Sequence, residues 1–124
     1  MTTLSLASVL AESARRTPEK TAVVQGETRV SYADLWRQAR QHARSLQDNG
    51  IVAGDWIALL APNVVDFVRA YYGVLAAGGV VVPVPTLLNA EEASYILRHS
   101  GASFLLYDAS FAAIGTEAAE AVGV

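Results

Sequence analysis

From Gly54 to Asp108 the chain alternates apolar runs of strand length with stretches of helical period, and each junction carries a stop signal. Trp56 to Leu60 is nearly continuous in apolar residues, as in a parallel strand covered on both faces. Pro62-Asn63 opens a helix over Val64 to Ala77 whose apolar residues go most of the way round, which predicts packing on two sides. Gly78-Gly79 ends it, Gly79 to Val84 predicts a second buried strand, and Pro85 closes that strand. Asn89 is the predicted N-cap of a helix over Ala90 to Ser100, with Glu91 and Glu92 in its first turn, Arg98 and His99 in its last, and Gly101 as its stop. Ser103 to Tyr107 is the third strand, and Asp108 starts a final Ala-rich helix to about Val122. Strands that alternate with helices have the rhythm of crossover units in a parallel sheet. The pattern leaves the strand order open.

The N-terminal part follows a different plan. Leu4 to Arg16 reads as a short amphipathic helix on Leu6, Val9, Leu10 and Ala14, with Thr3 or Ser5 as cap and Thr17-Pro18 as stop. Thr21 to Gln25 and Thr28 to Val30 flank Gly26-Glu27 as a hairpin. Ser31 caps a long helix with Asp34 at its third position, a box-like arrangement. Leu35, Ala39, His42, Ala43 and Leu46 mark its inner face, and Arg37, Arg40, Gln41 and Arg44 its outer one. Asn49-Gly50 ends it, since both tolerate the left-handed conformation of a helix terminus.

Composition narrows the function classes. At 124 residues the chain is one domain at most, and 52% hydrophobic against 17% charged residues argues for a packed core. The net charge is −3 and no Lys/Arg run exists, so nucleic-acid binding gets no support. Cysteine is absent, which removes disulfides, thiolate metal sites and a Cys nucleophile, and fits a cytoplasmic protein. The N-terminus lacks a basic segment before its apolar residues and is not a signal peptide. The uncharged stretch between Arg69 and Glu91 has the length of a membrane span, but Gly78-Gly79, Pro83 and Pro85 interrupt it. It reads as helix, turn and strand, with no transmembrane segment.

The residues offer no catalytic set and no metal set. His42 lies between Ala39 and Ala43 on a helix and reads as a half-buried packing residue, with no Ser, Asp or second His spaced to partner it. His99 lies in a last helical turn, where a charge-dipole role suffices. Asp34, Asp55 and Asp66 read as first-turn, turn and surface residues, and Trp36, Trp56, Tyr71 and Tyr72 as core or subdomain-interface residues. Gly78-Gly79 precedes a strand, whereas anion-binding loops precede a helix. Pro85, Thr86 and Leu87 follow the carboxyl end of a strand, where open α/β sheets place ligands; they read equally as a rigid strand-ending loop.

Several stretches together resemble the opening of the acyl-adenylate-forming enzymes, the AMP-binding superfamily. Thr17-Pro18-Glu19-Lys20-Thr21-Ala22 resembles that family's opening strand, and Val30-Ser31-Tyr32-Ala33-Asp34-Leu35 its first core motif. Gly54-Asp55 with Asn63 resembles the next strand and helix start, and Leu75 through Pro83 the second core motif. The order and spacing of these motifs, from Leu6 to about Val122, carry the resemblance. Pro83 through Asn89 followed by Tyr95 through Ala102 is most similar to bacterial long-chain fatty-acid-CoA ligases. Peptide-synthetase domains usually carry an Asp soon after the proline of the second motif, where this chain has Pro85.

The resemblance implies an α/β fold of parallel βαβ units plus an N-terminal hairpin, the N-terminal subdomain of an acyl-adenylate-forming enzyme. It implies ATP, Mg2+ and CoA as cofactors of the full-length enzyme, a small-molecule carboxylic acid as substrate, and Pro85, Thr86 and Leu87 near the CoA or acyl channel. The family's phosphate loop, its aromatic-Gly-x-Thr-Glu motif, its ribose-binding Asp and its late catalytic Lys have no counterpart here; Lys20, the sole lysine, stands outside any Gly-rich loop. They would lie beyond Val124. Residues 1–124 are therefore expected to be an incomplete N-terminal subdomain, without cofactors or catalysis of its own, that scaffolds the remainder of the same ligase and has a possible homodimer contact. Two other readings differ in class. A stand-alone interaction or dimerisation module would have a defined oligomeric state, and a flavodoxin-like domain would bind a mononucleotide near Pro62 and Pro85.

Overall fold

The computed structural model describes residues 6–62 and 65–124, so the expected caps at Thr3 and Ser5, the helix start at Leu4 and the opening at Asn63-Val64 lie outside the described residues. In chain order the elements are α1 (Leu6–Arg16), β1 (Thr21–Gln25), β2 (Thr28–Ser31), α2 (Tyr32–Asp48), β3 (Trp56–Leu60), α3 (Val65–Ala76), β4 (Val80–Pro83), α4 (Ala90–Ser100), β5 (Phe104–Tyr107) and α5 (Ala112–Val122), with a 3-10 turn at Ala109–Phe111 before α5. β1 and β2 form the expected antiparallel hairpin. The three remaining strands form a parallel sheet in the order β4-β3-β5, with Trp56 opposite Val80 and Ile57 opposite both Val81 and Phe104.

β3 is the axis of this sheet. Its side chains alternate between faces, so Ala58 and Leu60 pack with Ala93 and Leu97 of α4 and Ala118 of α5. Ile57 packs on the other face with Ala43 of α2 and Val74 of α3. A third cluster, around Leu10, Val30, Leu35 and Val65, joins α1, the hairpin, α2 and α3. Flank position corrects the expectation of fully buried strands. β3 is buried along four of its five residues, but β4 and β5 pair on one side and are half-buried or exposed, with Val80 at 38%.

Other sequence expectations are corrected in detail. α1 buries Ala7, Leu10 and Ala14, which turns Leu6 and Val9 outward at 51% and 58% exposure. The inner face of α2 is the narrower row Leu35, Ala39, Ala43; His42 lies beside it and is exposed. Asn49 ends α2 at φ −92°, bonding its side-chain amide to the Ser45 carbonyl at 2.7 Å, and Gly50 alone takes the left-handed conformation, at φ +97°.

The predicted caps of α2 and α4 are present. The Ser31 hydroxyl accepts from the Asp34 N–H at 3.1 Å. At α4 the Asn89 side chain accepts from the Glu92 N–H at 2.8 Å while the Glu92 carboxylate accepts from the Asn89 N–H at 3.1 Å, a reciprocal box. The start of α3 is held from a distance: the Val65 N–H donates to the Gln25 side-chain oxygen of β1 at 2.9 Å.

Gly73 and Gly78 each stand at a close approach of two elements. α2 and α3 meet where Gly73 faces the Ala39–Ala43 row, and a Cβ on Gly73 would lie 2.6 Å from the Cβ of His42 and 3.4 Å from the Ala39 carbonyl oxygen. Gly78 takes φ +87°, and a Cβ there would lie 2.9 Å from that of Ala53. The same turn is tied to the one before β3, because the Gly54 N–H donates to the Gly78 carbonyl at 2.9 Å and the Val80 N–H to the Asp55 carbonyl at 2.8 Å. Gly73→Val drives a branched side chain into the α2 backbone and is expected to destabilise the chain by about 1–3 kcal/mol in urea unfolding. Gly78→Val combines a left-handed backbone with a clash and is expected to cost about 1–3 kcal/mol in the same assay; an unchanged midpoint would remove this account of the turn.

Candidate functional site

The loop after β4 is anchored at both ends. The Val84 N–H donates to the Leu59 carbonyl at 2.9 Å, and Val84 is buried in the cluster under α4 and α5. Leu88 packs against the same cluster, and its N–H reaches the Pro85 carbonyl at 3.4 Å. Between these anchors Pro85 is exposed, Thr86 is half-buried and Leu87 stands 97% exposed at the tip. The loop carries no charged side chain, so its chemistry is that of an apolar contact surface.

The strand order places the ligand crevice of the sheet elsewhere. From β3 the chain passes to β4 on one flank and then returns across β3 to β5 on the other. In an open sheet the crevice falls where the connections diverge, here at the carboxyl ends of β3 and β5. A groove of about 650 Å³ lies there, lined by Ala61 beyond β3 and by Asp108 and Ala109 beyond β5. Leu59, Phe104 and Leu106 also line it, with His42 of α2 and Asp66 of α3. No sequence signal marks this groove, because it depends on which strands are neighbours.

Both carboxylates that line the groove, Asp66 and Asp108, have partners. Arg69 donates to the Asp66 carboxylate at 2.7 Å and to the Gln38 side-chain oxygen at 2.6 Å, which joins α3 to α2. Asp108 accepts from both the hydroxyl and the N–H of Ser110, and these bonds hold its carboxyl below the usual carboxylate range. His42 also borders a shallower hollow of about 430 Å³ with Gln38, Gln41, Ser45 and Arg69. His99 stacks on Tyr95 of the same helix face, with ring centroids 5.5 Å apart. Among the described residues no group of three His, Asp or Glu could hold a metal ion. Lys20 is exposed in the turn before β1. No helix among the described residues is long and apolar enough to cross a membrane. The structure thus places a groove of mixed polarity and an apolar loop tip on different flanks of the sheet.

Comparison with known proteins gives this geometry its family. The family described as AMP-binding enzyme matches residues 10–123. The chain is 38% identical over 102 residues to a long-chain-fatty-acid–CoA ligase of Bacillus subtilis (strain 168), covering 82% of this chain and 18% of that protein. It is 36% identical over 97 residues to bacitracin synthase 3 of Bacillus licheniformis, covering 78% of this chain and 2% of that protein. Among solved structures it resembles the inhibitor-bound N-terminal domain of FACL13 from Mycobacterium tuberculosis with a TM-score of 0.84 and 35% identity, covering 90% of this chain and 29% of that one. The chain therefore spans a small part of the length of the relatives it matches. With its motifs in order and its parallel sheet superimposing on the N-terminal domain of an acyl-adenylate-forming enzyme, the chain belongs to the AMP-binding enzyme family.

Proposed function

We propose that this chain is the N-terminal part of an ATP-dependent fatty-acid-CoA ligase and that, alone, it is a structural scaffold without adenylation activity. The observation that carries the reading is the family match through residues 10–123 of a chain that covers 18% of the Bacillus subtilis ligase and 29% of the FACL13 N-terminal domain. In the whole enzyme a carboxylate oxygen attacks the α-phosphorus of ATP and pyrophosphate leaves; the CoA thiol then attacks the acyl carbonyl and AMP leaves. Such chemistry needs clustered N–H and hydroxyl donors and a cation on the transferring group. Gly78-Gly79 leads into a strand and not into a helix start, which supports placing the phosphate contacts outside this stretch. No step of the reaction is assigned to this chain.

Its own contribution is support. β3 to β5 supply strands to a larger sheet, and Pro85, Thr86 and Leu87 form part of the wall of the acyl or CoA channel, a role suited to the uncharged loop and the exposed Leu87. The enzyme works in the cytoplasm, and a homodimer contact is part of this reading. The similarity to bacitracin synthase 3 favours a second reading for the acceptor, a carrier-protein thiol in place of CoA. A stand-alone interaction module derived from such an enzyme is the alternative for the chain as a whole.

The test is pyrophosphate release from ATP, Mg2+ and a long-chain fatty acid. The 124-residue chain is expected to give none above background. The Bacillus subtilis ligase with its aligned N-terminal stretch replaced by this chain is expected to give turnover. Release by the chain alone, or an inactive chimera beside an active parent, would sink the proposal. In the same chimera His42→Ala is expected to keep turnover within about tenfold, because a general base contributes roughly 10²–10⁴-fold; a larger loss would give His42 a role in the reaction.

A further inference from the structure

Gln38, Gln41, His42 and Ser45 recur at helical spacing, so they share one side of α2, next to its buried row. Arg69 of α3 stands across the seam from them, and the five side chains line a hollow of about 430 Å³. Arg69 is held by two bonds, from Nε to the Gln38 side-chain oxygen at 2.6 Å and from Nη1 to the Asp66 carboxylate at 2.7 Å. Among the described residues its Nη2 has no hydrogen-bond partner, and neither do the Gln38 amide nitrogen, the Gln41 side chain or the Ser45 hydroxyl. The free groups around the hollow are therefore mainly donors. Asp66 borders the neighbouring groove and not this hollow. The surroundings favour negative charge as well, since α2 and α3 carry four Arg against three Asp in a chain of net charge −3.

We propose that this hollow binds a small molecule bearing a carboxylate, held by Arg69, Gln38, Gln41 and Ser45. One guanidinium, partly offset by Asp66, suits a single negative charge better than two. Two bonds already fix the guanidinium, so little further ordering is needed when the carboxylate arrives. The hollow has room for a carbon skeleton beyond the carboxylate itself. A ligand there ties α2 to α3 across their seam and stabilises the folded chain by mass action. The site shares no residue with Pro85, Thr86 or Leu87.

Titration of the 124-residue chain with sodium acetate, against sodium chloride at equal ionic strength, tests this in nitrogen–proton spectra. Saturable shifts are expected at the Gln38 and Gln41 side-chain amides, the Ser45 N–H and the Arg69 Nε–H, with a dissociation constant of about 1–10 mM. Shifts that chloride reproduces, or that never saturate, would overturn the site. Ser45→Ala is expected to weaken acetate about 3–10-fold and Arg69→Gln more than about 10-fold. Asp66→Asn is expected to tighten it about 3–10-fold by removing the competing charge; no gain would refute Arg69 as the anchor. Should Arg69→Gln fail to fold, Ser45→Ala and Asp66→Asn decide, because both positions are exposed. Inorganic phosphate is expected to bind more weakly than acetate, and tighter binding would make this a phosphate site instead. The chimera with the Bacillus subtilis ligase separates a free carboxylate from one on a side chain of the remaining polypeptide. A rise of its unfolding midpoint in acetate over chloride, lost with Ser45→Ala, supports the free molecule. Binding in the isolated chain with none in the chimera would make an Asp or Glu of the remainder the occupant and end the proposal.

Discussion

Burial of β3 on both faces is the constraint on which the rest of the structure depends. Ile57, Leu59 and Leu60 are among the largest fully buried side chains, and each contributes roughly 1.5–3 kcal/mol on leaving water. A strand buried in this way must place a helical layer on each side. α4 and α5 supply one and α2 and α3 the other. The two turns that feed β3 and β4 are hydrogen-bonded to each other, which fixes the register Trp56 to Val80 from below.

The helical layer on the α2–α3 side depends on small residues. Ala39, Ala43 and Gly73 let the two helices approach until the Gly73 backbone lies against His42, and the Arg69–Gln38 bond spans the same pair. The hairpin is tied to this layer by Gln25, whose side chain satisfies the Val65 N–H, and by Val30 in the cluster with Leu35 and Val65. The N-terminal part and the parallel sheet thus share α3 as their common element.

Local signals were legible in the sequence because they depend on a few neighbouring residues. β1, β3 and α4 fall where the apolar runs and caps place them, and Ser31 and Asn89 cap as expected. Features set by tertiary neighbours were not. An apolar run such as Val80 to Val82 is the same whether a strand lies at the centre or on a flank, so the exposure of β4 could not be read from it. His42 falls within one residue of the inner row of α2, and whether it packs or faces solvent depends on the small residue opposite, Gly73. For the site, the loop Pro85-Thr86-Leu87 was legible as a strand ending, while the groove at the ends of β3 and β5 required the strand order.

Among the described residues the starts of α2, α3 and α4 each have an N–H engaged from within the chain. A helix N-terminus binds phosphate when its first N–H groups are free to point at it. Ser31 takes an N–H at the start of α2, Gln25 takes the Val65 N–H at α3, and Asn89 takes one at α4. Asp108 does the same for the 3-10 turn before α5. Carboxylates reinforce the effect, since Asp34, Asp66, Glu91 and Glu92 occupy first turns where they already neutralise the positive helix end. An incoming triphosphate would have to displace these partners and meet like charge at each position. Donors that hold strands and helices in place here are engaged within the fold, which supports the scaffold role proposed for the chain.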